Sequence, residues 1–517
     1  MNTNIFKILP LLVLTSFFAC TDLEENIIDE ELGGEILENS DNIDNLVTAA
    51  YASLRSFSDW SGYWALQEVT TDEVIFPTRG TDWYDNGAWQ ELHLQKFHSN
   101  HIRVVNVWND LHQGIARANV AMNLIEGFGV IDSDANAKRM YYEARFLRAL
   151  YVYALADLYG QVPFRNENEN EYQNPPEVMQ QQEAVDFAIS EINECIPLLG
   201  NKSEVKNGHI NKAAAYALLS RIYLNYPTYS GGTTKYSEVI ENTNKVLNSG
   251  EFTFSETYWD MFAHEALAPN EFILYTIEDD EIDLGQQTWI NFTLHYNQYF
   301  GTYNNFWNGG CTTESFLNTW DTARDVRYKN DALKKVTGFN QGFLEGQQYS
   351  PAGEALKTRD GDPLIFIRSV TLTNSAENQG ARVVKFAPDP NTANPGRTGN
   401  DFPIIRLSEV LLNRAEAKFR SGDLAGALDD INFLRAKRSA SGKNLPLLQS
   451  PLKEEDILNE RGFELYWEGH RRTDLIRFGK YGDAWSEKPA SSADRHIMPI
   501  PNEQLTNPNL KQNLDYK

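Results

Sequence analysis

The strongest pattern along the chain is helical. Between Met140 and Gly160, Leu147, Leu150, Tyr151, Ala154, Leu155 and Leu158 recur at i, i+3, i+4, i+7, i+8 and i+11, one apolar stripe of a 3.6-residue period. Gly160 ends the stripe and Pro163 prevents a restart. Asn211–Tyr226 repeats the style through Ala214, Leu218, Ile222 and Tyr226, with Pro227 as its stop. Ile405–Arg420 predicts a third helix, broken by Gly422-Asp423 and resumed over Leu424–Arg438 through Ala427, Leu428, Ile431 and Leu434. Ile457–Phe478 predicts a fourth strong helical segment. Weaker stripes predict helices at Ile43–Phe57, Val104–Gly127, Gln180–Leu198 and Tyr236–Ser249. Between Ser255 and Asp401 the stripes give way to Gly, Pro, Asn, Asp, Thr and aromatics, with short β-like runs at Phe272–Glu278, Leu364–Val370 and Arg382–Phe386. Ile404-Ile405 marks the return to helix.

These elements read as antiparallel helix pairs, a mainly α protein. The break after Phe419, with Gly422, Ala427 and Ile431 beyond it, resembles the small-residue spacing of a tetratricopeptide repeat, although no strict period survives the insertions. Small residues there let two helices approach closely and carry no chemistry. The expected fold is a tetratricopeptide-like helix-pair scaffold, an α-α superhelix, with an inserted loop-rich subdomain containing short β-strands. Its expected organisation is a signal peptide at 1–19, an acidic tether at 20–40, helical scaffold at 41–254 with an aromatic loop near 77–89, a loop-rich insertion at 255–401 and helical scaffold again at 402–517.

The N-terminus reads as an address. Lys7 supplies a positive charge, and Ile8–Phe18 is apolar but far short of the about 20 residues a membrane span needs. Ala19-Cys20 follows, a small residue and then cysteine, which resembles a bacterial lipoprotein cleavage site with Cys20 as the lipid attachment point. Phe17 departs from the Leu usual in such signals. No later stretch is long and apolar enough to span a bilayer, so the expected attachment is by acyl chains. From Asp22 to Glu38 the chain carries Asp and Glu and no Lys or Arg, which reads as an extended, solvated tether.

Composition narrows the function. The chain has 517 residues, with Lys and Arg totalling 46 against 72 Asp and Glu, a formal charge of −26 that repels phosphate backbones and excludes nucleic acid as an expected ligand. Cys20, Cys195 and Cys311 cannot build a disulfide scaffold, and the last two are expected as free thiols. No zinc-protease, nucleophile-elbow, phosphate-loop or dinucleotide motif is present, and no pair of carboxylates stands out for acid–base work. His93, His98, His101 and His112 cluster without the spacing of a zinc site. No cofactor is expected; the acidic loops admit a structural Ca2+ but carry no calcium-loop spacing. Glu460, Arg461, Glu464, Glu468, Arg471, Arg472 and Asp474 are expected as a structural ladder of ion pairs along one helix.

The aromatics are more informative: 11 Trp, 24 Tyr and 27 Phe make 12% of the chain. Trp60, Trp64, Trp83 and Trp89 crowd one region, and the stretch from Pro77 to Trp89 mixes aromatics with Gly and short polar side chains, as a loop does. A second cluster, Tyr296, Tyr299, Phe300, Tyr303, Phe306 and Trp307, is interrupted by Asn304, Asn305, Asn308, Gly309 and Gly310. Flat rings beside Asn, Asp and Arg suit sugar recognition: the polarised C–H face of a pyranose packs on a π-face, and its hydroxyls need directional donors and acceptors.

The chain also resembles the SusD/RagB family of outer-membrane nutrient-binding lipoproteins. The resemblance is carried by Tyr142–Tyr151 running to Leu158–Phe164, by Asn211–Leu224, by Arg406–Ala417, by Glu460–Leu475 with its Glu-Arg…Glu-Leu…Glu-Gly-x-Arg…Asp-Leu run, and by Pro499-Ile-Pro501 with Asn507–Asn513. The acidic leader is similar to the surface-export signal of Bacteroidota lipoproteins. The resemblance implies a non-catalytic, lipid-anchored protein of the outer membrane, facing the cell exterior. It would capture an oligosaccharide or polysaccharide and deliver it to a SusC-like TonB-dependent transporter. It further implies a sugar-stacking arc at Trp83, Trp89, Tyr303 and Trp307, with Arg79, Asp82 and Asn86 as polar companions. A peptide-binding transport lid of the RagB type and a secreted glycan hydrolase are the alternatives.

Overall fold

The computed structural model describes residues 40–167, 174–264, 269–278, 289–389, 399–439 and 445–516. The signal peptide, Cys20 and all but the last residue of the tether lie outside the described residues. Each long apolar stripe finds another to cover it. The scaffold helices are α1 (Ser40–Ala52), α2 (Ile102–Gly127), α3 (Ala135–Tyr159), α4 (Gln181–Cys195), α5 (Lys212–Tyr229), α6 (Tyr236–Leu247), α7 (Leu407–Arg420), α8 (Leu424–Lys437), α9 (Glu454–Leu465) and α10 (Arg471–Arg477). Each of α2 to α7 packs on the next, α1 lies on α2 and α3, and α9 joins α7. This succession is the helix-pair superhelix that the periodicity implies. Local sequence sets the ends: Asp134 accepts the backbone N–H groups of Asn136 and Ala137, Asn211 accepts that of Ala214, and Asp423 that of Gly426.

The helix expected over Ile43–Phe57 is split into Ser40–Ala52 and Arg55–Ser58, and three boundaries of the strong segments differ from the sequence reading. Pro227 does not stop α5, which runs on to Tyr229. Proline in a last turn forfeits one hydrogen bond where few remain to be lost. Ile404 and Ile405 belong to a strand, Phe402–Arg406, paired antiparallel with Phe272–Thr276, and helix begins only at Leu407. The segment 457–478 is two helices rather than one. Between α9 and α10 the chain turns through Trp467 at φ 62° and Gly469 at φ 82°. The backbone N–H of Trp467 donates to Glu73 at 3.2 Å, and those of Gly469 and His470 donate to Glu68 at 2.6 and 3.1 Å. Two carboxylates from the far end of the chain thus replace the helical acceptors.

The charges of that segment are structural, but they do not form a ladder along one helix. Glu464 accepts from Arg406 at 2.6 Å, Arg438 at 2.8 Å and Arg327 at 2.9 Å, all fully buried. Glu468 accepts from Arg406 and Lys385, each at 2.6 Å. Arg471 reaches Asp72 at 2.7 Å and Arg472 reaches Asp157 at 2.7 Å. Burial pushes the Glu464 carboxyl up, but the three guanidiniums outweigh it and hold the group well below the usual range. The network ties α9 and α10 to the rest of the fold. Among the described residues no helix is long and apolar enough to cross a membrane.

Short strands sit between residues 272 and 406. Arg382–Val384, Gln341–Leu344 and Lys329–Asn330 form a three-stranded sheet, and Gly346–Gln347 pairs with Ile365–Phe366. The pair that matters most joins Val74–Ile75 to Cys311–Thr312, with Val74 opposite Thr312 and Ile75 opposite Cys311. One aromatic loop leaves this ladder after Ile75 and the other enters it before Cys311.

Candidate functional site

Because both loops hang from one ladder, their aromatic residues meet. The Trp83 indole N–H donates to the carbonyl of Trp307 at 2.7 Å. The Trp83 ring lies so close over Gly309 that a Cβ there would come within 2.2 Å of it. Trp83 itself stands at φ 64°, a conformation that costs a bulky residue energy and persists only when its surroundings enforce it. The indole hydrogen bond and the glycine cradle are that enforcement. The two indoles are half-buried, 6.5 Å apart between centroids and inclined at 42°.

Beneath them runs a column of rings. Trp60 lies 6.0 Å from Trp83 and 6.1 Å from Trp307, then stacks on Phe292 at 4.9 Å and 23°. Phe292 stacks on Trp467 at 5.8 Å and 16°. Trp467 also meets Trp64, whose indole N–H donates to the Trp467 carbonyl at 3.0 Å. The column roots the surface indoles in the core and accounts for much of the local aromatic excess.

Two of the sequence-predicted ligand residues are corrected here. Trp89 is 0% exposed, stacked on Phe76 at 4.2 Å and 16° and on Trp60 at 5.6 Å and 13°, with its N–H on Asp85 at 2.6 Å. It is a supporting ring inside the fold. Arg79 is 2% exposed and donates to the carbonyls of Asn308 at 2.8 Å, Gln379 at 2.8 Å and Ala376. It pins the second loop and a neighbouring turn, with no donor face left for a ligand. Asp82 and Asn86 remain outside: Asn86 is exposed on a turn with φ 55°, and the Asp82 side chain is 39% exposed. Tyr303 is half-buried against Phe300 and Phe306, with its hydroxyl on Asn291 at 2.8 Å. The backbone N–H of Trp307 meets the carbonyl of the same Asn291 at 2.6 Å.

The structure adds residues that sequence reasoning left out of the site. The Tyr296 hydroxyl donates to Asp82. The Arg359 guanidinium lies 3.9 Å over the Tyr296 ring, 3.4 Å from Asp82, and is bonded to Glu377. Burial and the Asp82 carboxylate push the Tyr296 phenol well up. Burial also pushes Glu377 up, but the backbone N–H and guanidinium of Arg359 outweigh it, so its carboxyl lies below the usual range. Arg359 and Asp82 are 277 positions apart, and no local pattern links them. Of the histidine cluster, His93 and His101 meet backbone carbonyls at 2.9 and 3.0 Å, and His112 meets one at 2.8 Å. Among the described residues no group of three or more His, Cys, Asp and Glu has metal-holding geometry.

Comparison with known proteins agrees with this architecture. A family model described as "SusD family" matches residues 270–516, and one described as "Starch-binding associating with outer membrane" matches residues 29–224. The chain belongs to the SusD-like family. This SusD-like chain is 25% identical over 501 residues to the starch-binding protein SusD of Bacteroides thetaiotaomicron, covering 87% of itself and 84% of that relative. It is 23% identical over 572 residues to SusD-like protein P2 of Formosa agariphila, covering 98% and 99%. Surface glycan-binding protein A from Bacteroides uniformis shares its fold with a TM-score of 0.70 at 20% identity, over 92% of this chain and 99% of that one. Surface glycan-binding protein A from Bacteroides thetaiotaomicron, solved in complex with laminarihexaose, gives a TM-score of 0.66 at 18% identity, over 92% and 99%.

Proposed function

We propose that this SusD-like chain is a non-catalytic, cell-surface glycan-binding lipoprotein. Lipidated at Cys20, it holds oligosaccharides against Trp83 and Trp307 for delivery to a SusC-like TonB-dependent transporter of the outer membrane. The observation that carries the reading is the locked pair of half-buried indoles, joined across two distant loops and braced by a ring column. Preorganised rings lose little freedom when a sugar face settles on them, so more of the contact energy appears as affinity. The names of the relatives, starch-binding and glycan-binding, point the same way.

Hydrolysis needs a carboxylic acid held protonated near neutral pH beside an ionised partner. Glu377, a mostly covered carboxyl beside the platform, is instead kept ionised by Arg359, and Glu68, whose carboxyl is raised, is fully buried with its oxygen on backbone N–H groups. Titration calorimetry against soluble starch, laminarin and further soluble polysaccharides tests the proposal. Trp83→Ala and Trp307→Ala are each expected to cost about 1–3 kcal/mol of binding, by analogy with stacking on aromatic side chains elsewhere. Affinity unchanged in both variants would remove the site. In cells, Cys20→Ser is expected to move the protein from the membrane to the soluble fraction.

A further inference from the structure

We infer that Arg359 determines specificity at this platform as a charge-neutralised hydroxyl donor, so that the site takes uncharged sugars and rejects those bearing uronate or sulfate. The inference rests on the glycan-binding reading above and deepens it.

Arg359 reaches the platform from the turn Thr358–Asp362, closed by the Thr358 N–H to the Asp362 carbonyl at 2.8 Å. The Asn297 side-chain amide ties that turn to the second aromatic loop by donating to the Lys357 carbonyl at 2.9 Å. The Arg359 side chain is 50% exposed, yet its orientation is set from three sides: the Tyr296 ring beneath it at 3.9 Å, Glu377 on Nε and Asp82 at 3.4 Å from Nη2. Its Nη1 has no hydrogen-bond partner among the described residues. A planar cation held this way presents free N–H donors in a fixed direction, beside the residue that precedes Trp83 in the chain. Vicinal sugar hydroxyls match such donors.

The charge around that donor decides what it can accept. A carboxylate or sulfate on a ligand needs a cation whose charge is not already spent. Here Glu377 and Asp82 both lie against the one guanidinium. Exposed Asp85, Asp360 and Asp362 add negative charge on the same loops, where Lys357 is an exposed cation, Arg103 lies over Trp89 on the side of Asp85, and Arg382 is buried on the Glu377 carbonyl at 2.8 Å. Arg79 is buried on backbone carbonyls, and the His295 imidazole, which donates toward Glu377, is dropped by burial to about 4 and is neutral at neutral pH. The exposed donor of the platform is therefore a guanidinium whose charge two carboxylates already match, with further carboxylates at the surface around it. A neutral sugar exchanges hydrogen bonds with it at little electrostatic cost, whereas an anionic sugar meets like charge.

Affinity electrophoresis of the full mature chain tests this in gels containing neutral polysaccharides (soluble starch, laminarin, galactomannan, xyloglucan) or anionic ones (polygalacturonate, alginate, a sulfated galactan). The wild type is expected to be retarded only by neutral gels, equally at low and high salt. Arg359→Ala should weaken that retardation about tenfold or more, the loss of a charged donor. Asp82→Asn with Glu377→Gln should begin to be retarded by polygalacturonate. Retardation of the wild type by an anionic gel as strong as by any neutral one overturns the inference. It leaves the platform reading standing if Trp307→Ala abolishes that retardation. Unchanged binding by Arg359→Ala removes the role of that residue. Retardation in no gel overturns both readings together.

Discussion

Trp89 gives its whole indole to the interior, while Trp83, six positions earlier, keeps part of its ring at the surface. The difference lies in what each N–H can reach. Trp89 finds Asp85 one helical turn back and folds inward onto Phe76. Trp83, held in a left-handed backbone, finds only the carbonyl of Trp307 across the gap between loops. Gly309 is the residue that makes this contact sterically possible. Gly309→Ala is therefore expected to push the Trp83 ring off its seat and to lower glycan affinity as much as Trp83→Ala does. The unfolding midpoint in urea should shift little, because the displaced ring is already half in water. Calorimetry and urea unfolding of the two variants make the comparison; full affinity in Gly309→Ala would show that the Trp83 seat does not matter for binding.

At the scale of elements, helices were legible wherever a stripe ran uninterrupted. Ala135–Tyr159, Leu407–Arg420 and Leu424–Lys437 follow the periodicity closely. The break after Leu465 was not legible, because its cause is Glu68 and Glu73, almost 400 residues away in the chain. These two buried carboxyls make the junction sensitive to pH. Burial pushes Glu68 up to about 7, and burial together with the charge of Glu68 pushes Glu73 well above its ordinary value. A carboxyl with a raised pKa in the folded state stabilises most when protonated, and that contribution is lost as pH rises through the folded pKa. Glu68→Gln keeps an oxygen for the Gly469 and His470 N–H groups and cannot ionise. The variant is expected to gain thermal stability relative to wild type progressively from pH 4.5 to about 7. Parallel melting profiles across that range would rule out ionisation of Glu68 as the cause. Glu416 works with the opposite sign: burial opposes ionisation, but Arg477 and its neighbours outweigh this and hold it at about 2. Its contribution is present above the unfolded value and fades as pH falls toward that figure.

Over the whole molecule, the proposed platform exists only when the two ends of the fold are assembled. Residues 74–75 must pair with 311–312, and the loop of α9 and α10 must seat Trp467 under Phe292. A glycan that binds this assembly and not the unfolded chain is expected to stabilise it by mass action. At a free concentration one hundred times its Kd the gain is about 2.7 kcal/mol. Differential scanning calorimetry with a polysaccharide that wild type binds should show the shift, and Trp307→Ala should lose most of it. An identical shift in that variant would locate the ligand elsewhere.

Periodicity, caps and turn residues determined the helix-pair scaffold, because an apolar stripe needs only its own helix to be recognised and some neighbour to cover it. The run of charged residues in 460–474 likewise announced a structural role by its density. What each charge or ring would face was decided in three dimensions. The same residue types, Trp and Arg, end up as buried supports at Trp89 and Arg79 and as partly exposed groups at Trp83 and Arg359. For Trp83 and Arg79 the partners lie in a segment more than two hundred positions away in the chain. A short ladder between Val74–Ile75 and Cys311–Thr312, with the Arg79 and Trp83 hydrogen bonds beyond it, brings those segments together.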